Sequence, residues 1–430
     1  MGAAFFTSTV HAGGFAVSDK SVSALGAGFA GQAALAEDAS ILYNNPAGMT
    51  QLGGSQLTVG AHRVATSARF HDQGSDTAGA GANSVEVEAW LPNFYYTHQV
   101  GPDLHAGFGL YAPFGLGLQY DDDWMGRYHI VRSDVRTLNL SPALAWRVSP
   151  ALSVGGSIDA QYLDATMTKA IDFGTLCVGQ QMAGGASQAA AVATCNAIGL
   201  QPQQDDGQNR MEGDNWAAGY SLGVTWADAQ THLGLAWHSG ITHELKGASS
   251  FENVPAAFAG LFTDSSGRVK VNMPASASLS LAQAVSERLM LLADYTWTGW
   301  STYKELRVQF DNSLPDSVTR EDWHDAARYG LGAHFRVSPT WLLRAGFAYD
   351  ETPVPDAEHR TPRLPDTDRR WVTVGARWDW QTDRSVDVSV ARIQADKIPI
   401  HNTETTSQHT LNGTYDVSST YVSAALNWRF

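Results

Sequence analysis

The chain is 430 residues long and carries 28 Lys+Arg against 43 Asp+Glu, a formal charge of −15. That acidity argues against nucleic acid as a partner, since binding a phosphate backbone needs clustered basic side chains, and no apolar run is long enough for a transmembrane helix. Charged residues are only 17%, with 41 Gly, 14 Trp and 14 Tyr, which disfavours a disordered chain or an ordinary helical enzyme but leaves room for a barrel, whose apolar face is hidden in alternation.

The first twelve residues, MGAAFFTSTVHA, hold a short apolar stretch and end Val10-His11-Ala12. Small residues near a cleavage point fit the tail of a secretory signal, although a basic n-region is missing. Segment 1–12 is therefore expected to be a residual signal peptide. Segment 13–50 is rich in Gly and Ala and lacks a sustained two-residue period. Its Gly26-Ala-Gly28-Phe-Ala-Gly31 is formally a G-x-G-x-x-G, but no strand clearly precedes it and no acidic residue follows about twenty positions on, so it makes a poor nucleotide fingerprint. A compact plug of small residues is the better expectation, with a capped helical turn over 38–44 ended at Asn45-Pro46-Ala47-Gly48.

From residue 51 to 430 the two-residue period dominates. Leu138, Leu140, Leu144, Trp146 and Val148 share one face, opposite Thr137, Asn139, Ser141 and Arg147. Leu152, Val154, Ile158 and Ala160 oppose Ser153, Ser157, Asp159 and Gln161; Val372, Val374, Ala376, Trp378 and Trp380 oppose Thr373, Arg377 and Asp379. Such alternation marks strands, and counting the runs between turn signals predicts about fourteen. They span 52–70, 84–100, 104–120, 132–147, 151–172, 213–228, 230–248, 269–284, 287–312, 322–336, 340–352, 369–380, 384–398 and 415–430. The last places Val422, Ala424, Leu426, Trp428 and Phe430 on one apolar face, as suits the closing strand of an outer-membrane barrel.

Short links such as Gly101-Pro102-Asp103, Ser149-Pro150 and Ser338-Pro339 alternate with long ones near 121–131, 173–212, 249–268, 354–368 and 399–414. Short turns at one end and long loops at the other are expected of outer-membrane barrels, and an even strand number closes the sheet without an edge. An all-β, 14-stranded antiparallel transmembrane barrel with the N-terminal plug in its lumen follows. Because a cation on the lipid face would cost roughly 2–4 kcal/mol at mid-membrane, Asp159, His238, Asp294, Arg344, Arg377, Asp387 and Arg429 are expected to line the lumen, mostly as structural pairs or partners of the plug. Cys177 and Cys195 suggest one disulfide in an exported chain, without C-x-x-C or clustered His to indicate a metal.

Several stretches resemble the FadL-type long-chain fatty-acid transport proteins of Gram-negative outer membranes. They are Gly14-Phe15, Ala24-Leu25-Gly26, Ala36-Glu37-Asp38-Ala39, Asn45-Pro46-Ala47-Gly48, Tyr111-Ala-Pro-Phe-Gly-Leu116, Gly126-Arg-Tyr128, Leu138-Asn-Leu140, Asp294-Tyr-Thr-Trp-Thr-Gly-Trp300, Asp350-Glu-Thr-Pro-Val-Pro355, Leu364-Pro-Asp366 and the terminal Phe430. They run in order along nearly the whole chain. The resemblance implies a fourteen-stranded barrel closed by a plug, working in the outer membrane without an energy source or cofactor on hydrophobic compounds. It also implies a kinked third strand at Pro113, Phe114 and Gly115 as a lateral opening. For a carboxylate it points to basic positions near Lys169 and His324, with Arg328 as a substitute; a family lysine stands as His324 here, which leaves room for neutral cargo.

Loop 249–268 contributes Phe251, Val254, Phe258, Leu261 and Phe262, so a hydrophobic groove against loop 173–212 is the expected capture site, with plain loop-on-loop packing the alternative. Expected partners are fatty acids or hydrocarbons, outer-membrane lipid and lipopolysaccharide, and the barrel-assembly machinery through the Phe430 strand, with the chain a monomer. The same scaffold would serve uptake of monoaromatic hydrocarbons or alkanes. A lipid hydrolase would need a serine–histidine arrangement, and neither G-x-S-x-G nor H-E-x-x-H is present; a passive surface receptor would need neither plug nor wall break.

Overall fold

Alternating side chains build one closed sheet around a plug, seen in a computed structural model that describes residues 13–17, 20–79, 81 and 83–430. The expected signal remnant, 1–12, lies outside the described residues. The wall has fourteen strands, several of them interrupted. They are β1 Ser55–Asp72, β2 Ser84–Gln99, β3 Leu104–Tyr111 resuming as Gly115–Gln119, β4 Arg132–Arg147, β5 Leu152–Asp172, β6 Asp206–Ala227, and β7 Thr231–His238 resuming as Ile241–Glu252. Then follow β8 (Ser265–Met273, Ser276–Ala284), β9 (Leu289–Thr298, Glu305–Phe310), β10 (Ser317–Arg320, Ala326–Ser338), β11 Trp341–Asp350, β12 Arg369–Gln381, β13 (Arg384–Ala395, Ile398–Thr403) and β14 Thr410–Arg429. Each pairs antiparallel with its neighbours in sequence, and β1 closes on β14 in a register running from Gln56↔Arg429 to Asp72↔Gly413. No helix among the described residues is long and apolar enough to cross a membrane; the strands cross instead.

The outer face is apolar: Ile158, Leu331, Leu144, Val372 and Val374 all stand exposed on it. The inner face is polar and closed over, with Asp387, Ser141, Gln161 and Thr373 buried. Several strands outrun their predicted bounds at the long-loop end. β6 begins at Asp206 rather than 213, because 206–212 alternates in burial without an apolar face.

The plug occupies the lumen. Helix α1, Val22–Gly26, is capped by Ser21, whose side chain accepts from Ala24 N. Helix α2 is Ile41–Asn44. As expected, it ends at Asn45, whose backbone is extended; Pro46 then opens a separate 3-10 turn over Pro46–Gln51, where a missing N–H leaves no bond unmade. Gly28 and Gly31 of the formal G-x-G-x-x-G take left-handed backbone angles and lie buried against the wall. The wall makes room with its own glycines. A Cβ at Gly155 would sit 2.5 Å from Ala47 N and one at Gly332 2.5 Å from Ala27 O, while at Gly223, Gly234 and Gly346 it would overlap Asn45, Ala33 and Ala27.

Polar groups fix the plug in place. Arg344 reaches Glu37 of the plug at 2.9 Å and Asp387 of β13 at 2.6 Å, and Arg377 donates to the Glu37 carbonyl at 2.9 Å. Asn45, fully buried, donates to Ala33 O at 2.7 Å and to Val224 O on β6 at 3.0 Å. Asp159 accepts from Ser141 and Ser221, and Asp294 from Gln32. Of the seven expected lumen residues, Arg429 alone stays exposed: it lines the open vestibule beneath the plug at the short-turn end, with Glu37 and Arg377.

Candidate functional site

Among the cavities inside the barrel formed by the described residues, two lie one above the other with the start of the plug between them. The upper is lined by Leu116, Val135, Leu163, Met167, Val271 and Leu306 among others, and the space between its walls, mouth included, is about 910 Å³. These side chains come from β3 to β9, whose inward faces turn apolar above the plug. The lower cavity is mixed, walled by Asp159, Gln161, His238 and Arg328 on one hand and by Phe114, Ile241, Met273 and Trp300 on the other. Phe15 of the plug stands at the boundary, its ring 4.9 Å from Trp300, 5.6 Å from Tyr303 and 6.0 Å from both Trp323 and Phe114. Gly14 makes this possible. It adopts φ +67, and a Cβ there would lie 2.6 Å from the Trp300 ring.

One ion pair interrupts the apolar wall of the upper cavity. Arg363 Nη2 lies 3.1 Å from Glu321 Oε1, and Trp323 Nε1 donates to Glu321 Oε2 at 3.1 Å. Glu321 sits in the extracellular segment between the two parts of β10, and its side chain is 4% exposed against 13% for Arg363. Burial raises the Glu321 carboxyl to about 7, against the opposing pull of Arg363, the Trp323 hydrogen bond and His359. The arrangement offers a hydrocarbon chain an apolar sleeve and a polar head one guanidinium, already occupied. It contains no arrangement for covalent chemistry.

The expected carboxylate ligands do not converge. Lys169 lines a separate polar cavity above, where Nζ lies 3.4 Å from Thr406 Oγ1. His324 is exposed, its Nδ1 2.9 Å from the Asp325 carbonyl. The reason is strand-like parity: Glu321 and Trp323 turn inward, so His324 turns out. Arg328 faces the lower cavity and stacks its guanidinium on Phe29 of the plug at 4.3 Å. The missed residues are Glu321, just before the predicted strand 322–336, and Arg363, just before Leu364-Pro-Asp366; nothing in either segment alone signals that they meet.

Pro113, Phe114 and Gly115 fall where β3 breaks. Pairing of β2 with β3 stops at Phe94↔Leu110, and Gly115–Gln119 pairs only with β4. Residues 84–93 of β2 therefore have no ladder partner on that side of the wall. The plug partly fills the gap: Val17 N donates to Pro113 O at 2.9 Å and Gly115 N to Phe15 O at 3.0 Å. Proline's missing donor suits a strand edge of this kind.

The outer loops are packed. Cys177 and Cys195 are joined in a disulfide that links helix α3, Phe173–Ala183, to helix α4, Gln188–Ala197. Phe173 meets Phe258 at 5.1 Å and Phe262 at 5.0 Å, and Phe251 meets Phe262 at 5.6 Å. Val254 joins the same cluster. Of the expected groove residues Leu261 remains 40% exposed, as do Met182 at 45% and Ile198 at 60% in loop 173–212. The aromatic rings thus fill one another's space rather than line an open groove, and an apolar rim is left.

The sequence profile of the family described as "Outer membrane protein transport protein (OMPP1/FadL/TodX)" matches residues 3–430. The chain is 26% identical over 414 residues to the long-chain fatty acid transport protein of Escherichia coli K12, covering 93% of this chain and 91% of that one. In structure it is similar to a Pseudomonas aeruginosa FadL homologue, with a TM-score of 0.84 at 21% identity, covering 97% and 99% of the two chains. It also shares its fold with the Pseudomonas putida toluene transporter TodX, with a TM-score of 0.71 at 18% identity over 98% and 100% of the chains.

Proposed function

Because the chain belongs to the OMPP1/FadL/TodX family of outer-membrane proteins, which are channels for hydrophobic compounds and not enzymes, we propose that its cargo is long-chain fatty acids. The observation that carries this is the upper cavity, an apolar sleeve with a single guanidinium, Arg363, at its wall. Burying some fifteen methylenes is worth about 12 kcal/mol gross at roughly 0.8 each, so capture is easy and release is the difficulty. The apolar loop rim at Leu261, Met182 and Ile198 gathers the ligand, and the cavity takes it with its carboxylate toward Arg363. The lower cavity carries Pro113 and Phe114 on its wall, so once Phe15 of the plug shifts the tail passes down to Phe114 and leaves sideways there, through the break between β2 and β3. The protein works as a monomer among outer-membrane lipid and lipopolysaccharide, and the strand ending at Phe430 is its signal to the assembly machinery; undiminished assembly after deletion of Phe430 would count against that last role.

A second reading, uptake of neutral monoaromatics or alkanes, is favoured by the pairing of Arg363 with Glu321, which leaves the cavity wall without net charge. Mass spectrometry of ligand retained by the purified protein, with and without Arg363→Met, separates the two. Fatty acid retained by the native chain and lost from the variant supports the first; retained neutral hydrocarbon, indifferent to the substitution, supports the second.

A further inference from the structure

Resting on the carboxylate reading of the upper cavity, we propose that Glu321 is a built-in competitor for Arg363, a carboxylate that an anionic ligand must displace and that thereby sets the preference between charged and neutral cargo. The geometry is specific. Arg363 directs Nη2 at Glu321 Oε1, while its Nη1 lies 3.8 Å from Met167 Sδ. Glu321 is held from three sides: by Arg363, by Trp323 Nε1 and, through its own N–H, by the Lys304 carbonyl at 2.9 Å. It is therefore a fixed partner inside the ligand's sleeve.

A ligand carboxylate arriving beside this pair would put two anions on one guanidinium in an apolar site, which is unfavourable unless one is neutralised. The anion that gives way is Glu321. It takes one proton from water and becomes a neutral acid, its Oε2 still accepting from Trp323, and Arg363 turns to the ligand. Well above pH 7 one proton enters per anion bound, falling to none below it where Glu321 is already neutral, and none enters with a neutral ligand. The charged and titratable groups facing Glu321 are few: Arg363 and His359 from loop 351–368 and Tyr303 from the segment within β9. Burial already places Glu321 near neutrality, at about 7, so displacement needs little proton pressure.

The test is calorimetry on the purified full chain with three probes: palmitate, hexadecane-1-sulfonate, which stays charged at every pH used, and methyl palmitate. Sulfonate affinity is expected to fall about tenfold from pH 6 to pH 8, following the protonated fraction of a group titrating near 7. Glu321→Gln, which keeps an acceptor for Trp323, should flatten that profile and bind sulfonate about tenfold tighter than the native chain at pH 8. Glu321→Asp should retain the slope, and the ester should ignore both pH and substitution. A slope that survives in Glu321→Gln, or an ester affinity that moves with the sulfonate's, overturns the proposal. Absence of palmitate binding with the sulfonate slope intact would reject fatty acid as cargo and keep Glu321 as the selector. Palmitate binding with a flat sulfonate profile would do the reverse.

Discussion

The guanidinium of Arg344 lies 2.9 Å from the carboxylate of Glu37, one belonging to the barrel wall and the other to the plug. Arg344 is fully buried and is also 2.6 Å from the equally buried Asp387. The two contacts divide the work. Asp387 neutralises the cation within the wall, and Glu37 ties the plug to it.

Substitution should separate those roles. Arg344→Met leaves Asp387 buried without its nearest cation and is expected to destabilise the barrel by about 3–5 kcal/mol, read as a lower temperature of heat-modified gel migration. Glu37→Gln leaves the Arg344–Asp387 pair intact, so the barrel transition should stay put while hydrogen exchange of amides 22–51 accelerates. Plug protection unchanged in both variants would mean that this latch does not hold it.

The break in β3 makes a second prediction. A Cβ at Gly115 would find its nearest neighbours at 3.4 and 3.8 Å, which is ordinary contact, so a side chain can start there and the Val17 tip is what a larger one must move. Pro113→Val with Gly115→Val should let the ladder continue past Phe94↔Leu110 and close the wall. Palmitate binding to the purified protein should persist, while delivery of labelled palmitate into cells carrying the variant should fall at least tenfold, an order-of-magnitude expectation if the wall gap is the main path. Undiminished delivery would exclude the gap as the exit.

A third prediction concerns pH at the outer loops. His409 lies 2.9 Å from Asp172 and 3.5 Å from Asp76, and Asp172 also caps α3 through Thr175 N. Burial opposes the charged form of His409, but the Asp172 hydrogen bond and both carboxylates overcome it and raise its pKa. Burial likewise opposes charge on Asp172, and the bonds from His409, Thr175 and Gln203 overcome it and lower its pKa. The stabilisation from His409 is complete below about 6.5, the ordinary histidine value, and disappears as pH rises through the raised one. That from Asp172 is present above about 3.9 and disappears as pH falls through the lowered value. Protease cutting within 404–409 should therefore increase from pH 6 to pH 9, and His409→Gln should remove the increase. A charge-assisted bond of this kind is worth about 1.5–3 kcal/mol, roughly a tenfold change or more in the open fraction.

Where the bilayer imposes a period, the sequence could be read directly. Strand number, facing and the polar lumen all follow from residues such as Val388 and Val390 outside against Asp387 and Ser389 inside. The plug was legible by contrast, as the stretch without that period. Above the bilayer the constraint lapses, which is why the first turns of β6 and the 317–320 and 398–403 segments were missed or shortened. Arg363 and Glu321 are 42 residues apart in irregular segments, and no local pattern announces their meeting. Parity alone would have turned His324 outward once Trp323 was placed inside. Composition showed that loop 249–268 is apolar, but only coordinates distinguish Phe258 facing Phe173 from Phe258 facing a ligand.

The wall glycines at 155, 223, 234, 332 and 346 give the passage an unusual economy of motion. Were the leading peptide to slide away, it would uncover main chain at these positions, which water can wet at once. The oily part of the seat is elsewhere, where Trp371 and Tyr421 cover Leu25 and Phe29 and Tyr95 and Tyr111 cover Leu42. Displacement therefore costs most at those rings and least along the glycine furrow.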